Sequence, residues 1–72
     1  MKSFFFFASG TSTPFQLASE DGLEALFEMR DKIVQTHREI LPLSFVLNTD
    51  ENGSVEPACS GIVQPDGTIR ID

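Results

Sequence analysis

The segment SEDGLEALFEMRDKIVQTHREI, residues 19–40, decides the fold. Its apolar residues Leu23, Leu26, Phe27, Ile33, Val34 and Ile40, continued by Leu41, recur at spacings of three and four, which line one side of an α-helix. Met29 lies at the edge of that stripe. Ser19 offers a hydroxyl to the free amides of a first turn, and Glu20 and Asp21 set negative charge at the positive end of the helix dipole. Pro42 disfavours helical geometry at Leu41 and cannot donate to a preceding carbonyl. A helix is therefore expected over about residues 19–40.

On the N-terminal side, Phe4-Phe5-Phe6-Phe7 is a continuous aromatic run. In a strand, Phe4 and Phe6 point one way while Phe5 and Phe7 point the other, so both faces need cover and the strand belongs inside a sheet. The helix covers one face; a second copy of the chain or a curled sheet would have to cover the other. Residues 8–14 are rich in Ser, Thr and Gly and read as a loop, after which Phe15-Gln16-Leu17 alternates as a short strand.

On the C-terminal side, Leu43, Phe45 and Leu47 alternate with more polar neighbours, and Asn52-Gly53 follows. Both of those residues tolerate the positive φ of a type I′ turn, so a tight hairpin with a returning strand from Val55 to Val63 is expected. Gln64-Pro65-Asp66-Gly67 supplies a further turn before the short strand Thr68-Ile69-Arg70-Ile71. The whole reads as a single α+β domain, residues 1–72, of ββαβββ order. It is expected to hold an antiparallel sheet of four to five strands with the helix packed on one face.

Composition narrows the function. Eleven acidic against five basic residues give a net charge of −6, which repels nucleic-acid backbones and anionic membranes and argues against direct binding to either. Lys2, Arg30, Lys32, Arg38 and Arg70 are scattered and trace no phosphate backbone. No segment approaches a membrane span. The apolar run Phe4 to Ala8 falls short of the roughly seven to fifteen residues of a secretion signal core. With a single cysteine, Cys59, internal disulfides are excluded, and a reducing, cytoplasmic setting is expected. So small a chain stabilises itself most readily by dimerisation.

Candidate chemistry is sparse, and no catalytic, cofactor-binding or metal-ligating set is expected. Residues 48–55 partly resemble a calcium loop, but Asn48 opens it and Cys59 stands where a bidentate glutamate is required. Arg30 and His37 project into the apolar stripe at about 100° per residue. Arg30 is expected to reach past a sheet edge, and His37 to bond a carbonyl at the helix end. One histidine with no nucleophile beside it makes no catalytic set, so no enzyme is expected. Cys59 has no basic neighbour to activate its thiol.

The outward side of the helix carries Glu20, Asp21, Glu24, Glu28, Asp31 and Glu39, relieved by Lys32 and Arg38, with Glu28 expected to pair with Lys32. Asp21, Glu24, Glu28, Asp31 and Glu39 are the expected partner-binding surface. They suit a protein with a basic surface, and a partner that normally binds nucleic acid would meet a mimic of its charge. The alternative is a self-association module that makes a homodimer through Phe5 and Phe7 or a free strand edge.

Overall fold

A computed structural model describes residues 1–11 and 13–72; of the expected loop at 8–14, Ser12 lies outside the described residues. The strands are β1 (Lys2–Ala8), β2 (Phe15–Ser19), β3 (Leu43–Asn48), β4 (Cys59–Val63) and β5 (Ile69–Ile71), with helix α1 (Gly22–Thr36) between β2 and β3. All five strands join one sheet in the order β2-β1-β3-β4-β5, every pair antiparallel. The α+β class and the ββαβββ order expected of the sequence are the observed ones.

The aromatic run occupies the interior strand. Phe4 pairs with Leu17 on one side, and Phe6 lies between Phe15 and Leu47. Phe4 and Phe6 are buried under the helix, whereas Phe5 and Phe7 are half-buried on the opposite face. Phe6 is fully buried and stacks on Phe45, with ring centroids 5.3 Å apart. Leu17, Leu43, Leu47 and Val63 complete the sheet side of the core, and Ala25, Leu26, Met29 and Ile33 close it from above. The radius of gyration, 11.1 Å, matches the value of about 11 Å for a single core of this length.

The helix is shorter than its sequence pattern implies. Ser19 does not cap it: Ser19 ends β2 opposite Lys2, because pairing with β1 claims the backbone through that residue. Asp21 is the cap, in extended geometry, its Oδ1 accepting from the Glu24 amide at 2.9 Å. At the other end, the backbone leaves helical geometry at His37, and Arg38–Ile40 wind into a tighter 3-10 turn that reverses the chain toward β3. A regular helix to residue 40 would run about 6 Å farther before that reversal.

The β3–β4 connection also differs. A type I′ turn needs positive φ at both central residues, yet among the described residues only Gly10, Gly53 and Gly67 have it, so Asn52 does not comply. Instead Asp50 Oδ2 accepts from the Asn52 amide, the Ser54 amide and the Ser54 hydroxyl, holding a wide loop. The returning strand begins at Cys59 rather than Val55. Asn48, buried on the outer face, donates to the Val55 carbonyl and accepts from the Asp50 amide, so it ties both ends of the loop. The meander then closes on Gly61. A Cβ there would collide with the Arg70 carbonyl of β5, so only glycine allows β5 to approach.

Asp21→Ala is expected to lower the unfolding free energy by about 1 kcal/mol. Ser19→Ala removes a buried hydroxyl with no partner among the described residues and is expected to leave stability unchanged or raise it. Urea denaturation followed by circular dichroism separates the two; equal losses would contradict the cap assignment. Gly61→Ala is expected to cost about 1–3 kcal/mol and to speed amide exchange in β5 before the rest of the sheet.

Candidate functional site

The surface with most to offer a ligand is the outer side of α1, and its character follows from how the helix is seated. The buried residues are Ala25, Leu26, Met29 and Ile33, whereas Leu23 and Phe27 are 57% and 46% exposed. Relative to the stripe expected from the sequence, the helix is turned by roughly 70° about its axis. The buried line begins with two small residues: Gly22 and Ala25 stand one turn apart where α1 meets the sheet, and a Cβ at Gly22 would sit in ordinary contact with Phe4, Leu47 and Ala58. The sequence signal was present in the 3-4-4 spacing of Gly22, Ala25, Met29 and Ile33, a line of close approach rather than of greatest hydrophobicity.

The five carboxylates expected to bind a partner do not form one uniform row. Glu24 and Glu28 are exposed, one turn apart on the helix. Asp21 is exposed, but its carboxylate is engaged as the cap. Asp31 accepts from Arg30 Nε at 2.8 Å and is locally neutralised. Glu39 lies beyond α1, on the 3-10 turn, 3.6 Å from His37 Nδ1. Glu20 is exposed in the bend just before the Asp21 cap. The expected pair of Glu28 with Lys32 is not among the ion pairs of the described residues, which are Arg30 with Asp31 and His37 with Glu39.

Leu23 and Phe27, like Ile40, belong to the apolar stripe of the sequence yet are exposed. They stand one turn apart and border Glu24 and Glu28, with the Arg30 guanidinium 5.4 Å from the Phe27 ring centroid. The outer helix thus presents two large apolar side chains beside carboxylates that form no ion pair among the described residues.

Arg30 and His37 do not meet in a common site. Arg30 Nη1 donates to the Gly67 carbonyl at 3.0 Å, reaching past the sheet to the β4–β5 turn as expected. His37 is exposed rather than set in the buried stripe. It ends the helix through its backbone amide, which donates to the Ile33 carbonyl at 2.7 Å, while its ring faces Glu39. Cys59 is half-buried against the core, and burial pushes its thiol above the ordinary value. Among the described residues no three His, Cys, Asp or Glu side chains converge as a metal site requires, and no helix is long and apolar enough to cross a membrane.

The chain matches no protein-family model, no curated protein and no solved structure in comparison with each.

Two carboxylates outside the helix are held for local structure. Hydrogen bonds from Ser54 lower the Asp50 pKa, with Asn52 and Gly53 adding to them, and bonds from Thr68 lower that of Asp66. A folded-state pKa depressed in this way contributes stability above the unfolded pKa and loses it as pH falls through the folded value. Carbon-detected carboxyl titration is expected to place both aspartates below the ordinary value of about 3.9. Asp50→Asn is expected to flatten the acid limb of stability below that pH, and an unchanged acid limb would contradict the role of Asp50 in the loop.

Proposed function

We propose that the chain is a small protein-binding module of regulatory or inhibitor type, which engages a basic protein surface through the outer face of α1. The observation that carries this reading is the pair Leu23 and Phe27, exposed on a helix and bordered by Glu20, Glu24 and Glu28. Exposed apolar anchors supply affinity once desolvated, and the surrounding charge steers and orients the partner. The net charge of −6 adds long-range attraction for a cationic surface. A partner that normally holds nucleic acid meets that description, with the carboxylate row standing in for phosphates. Asp31 and Glu39 contribute less here than Glu24 and Glu28, because Asp31 pairs with Arg30 and Glu39 lies beyond α1 on the 3-10 turn.

A second reading is self-association into a homodimer. Phe5 and Phe7 favour it: they are half-buried on the sheet face opposite the helix, where Val46 is also half-buried. Gly53 of the β3–β4 loop lies near the Phe7 ring on this face.

Cross-linking of the intact chain in cell extract, with mass spectrometry, identifies the partner. Glu24→Lys with Glu28→Lys is expected to weaken that complex at least tenfold and to remove most of its salt dependence. Leu23→Ser with Phe27→Ser is expected to weaken it at any salt concentration. A complex indifferent to both pairs of substitutions would overturn the acidic-face reading. Sedimentation showing only monomer at high concentration would remove the dimer.

A further inference from the structure

We propose that the groove between the C-terminal half of α1 and the open corner of the sheet binds a small apolar monocarboxylate of the medium-chain fatty-acid class. The groove encloses about 460 Å³, within the range of roughly 300–1,000 Å³ typical of small-molecule sites. Its floor is apolar, built from Phe6, Ala8, Met29, Ile33 and Leu43. Phe15 and Ile40 form the lips.

Those lips are otherwise unexplained. Phe15 pairs with Phe6 across the β1–β2 ladder and so faces the helix side of the sheet, yet it is 55% exposed. Ile40 is 46% exposed on the 3-10 turn after α1. The helix stops at Thr36 and does not itself extend over this corner. Two large apolar side chains thus flank a cleft with an apolar floor, which suits an aliphatic chain lying between them.

Charge selects the head group. Among the described residues, the ionisable side chains lining the groove are Lys32 and His37 and no Asp or Glu lines it, although the chain carries eleven of them. Lys32 belongs to no ion pair among the described residues. A cationic amphiphile would meet Lys32, and a polyanion would meet the surrounding field of a chain with net charge −6. One carboxylate on an apolar tail satisfies both limits. The site is separate from the acidic outer row of α1 and stands independently of the protein-binding reading.

The test is an NMR titration of the full chain with octanoate, octan-1-ol and octyltrimethylammonium. Octanoate is expected to give saturable shifts at the amides of Phe6, Ala8, Ile33 and Leu43 and at the Met29 methyl, with the alcohol weaker and the cation weakest. Lys32→Gln, on an exposed helix position, is expected to weaken octanoate by roughly three- to fivefold and to leave the alcohol unchanged. Shifts that do not saturate, shifts outside the groove, equal affinity for acid and alcohol, or indifference to Lys32→Gln would each overturn the proposal. So would dilution-dependent shifts of the groove amides without ligand, since a second copy of the chain would then be the occupant.

Discussion

A strand with large aromatic side chains on both faces has to lie inside a sheet, and β1 imposes that constraint on everything around it. With β2 on one flank and β3 on the other, both antiparallel to β1, the two flanking strands run parallel to each other. Such strands cannot be joined by a tight turn; the connection must cross a face of the sheet, and α1 is that crossover, lying over Phe4 and Phe6. Burial of side chains such as Phe6 and Leu26, each worth about 1.5–3 kcal/mol, then secures helix and sheet together.

The seating of α1 on that sheet produces both surfaces of interest. Close approach is easiest where side chains are smallest; Gly22 and Ala25 meet the sheet, and Met29 and Ile33 follow them into the core. The turn about the helix axis pushes Leu23 and Phe27 outward, against the carboxylates of Glu24 and Glu28. The helix ends early at Thr36 and does not itself extend over the opposite corner, between Phe15 and Ile40. One packing decision therefore yields an acidic surface with apolar anchors and, separately, an apolar groove with a cationic rim.

Net charge alone overstates how many carboxylates are free. The aspartates are largely engaged close to home: Asp21 caps the helix, Asp31 pairs with Arg30, and Asp50 and Asp66 accept bonds from the turns they open. A short carboxylate reaches its own neighbouring amides easily, and these bonds hold the loops in place. Glutamate is one methylene longer and extends beyond its local backbone. Glu20, Glu24 and Glu28 are accordingly exposed at the start and along the outer side of the helix, as Glu51 and Glu56 are on the β3–β4 loop.

The sequence by itself determined which segments are strands and which is the helix, the alternation of Phe4 and Phe6 against Phe5 and Phe7, and the position of β1 inside the sheet. Each of these follows from side-chain periodicity, a local property. It also carried the reach of Arg30 past the sheet edge. Only tertiary structure decided that Ser19 belongs to β2 rather than to a helix cap, because that depends on a ladder with β1. The same is true of the rotation of α1, since periodicity reports how apolar a face is and not how closely it can approach a neighbour. The Asn52-Gly53 hairpin gave way to an Asp50-centred loop for a related reason. Turn residues state what the backbone tolerates, whereas the buried Asn48 and the carboxylate of Asp50 decide which tolerated conformation has its hydrogen bonds satisfied.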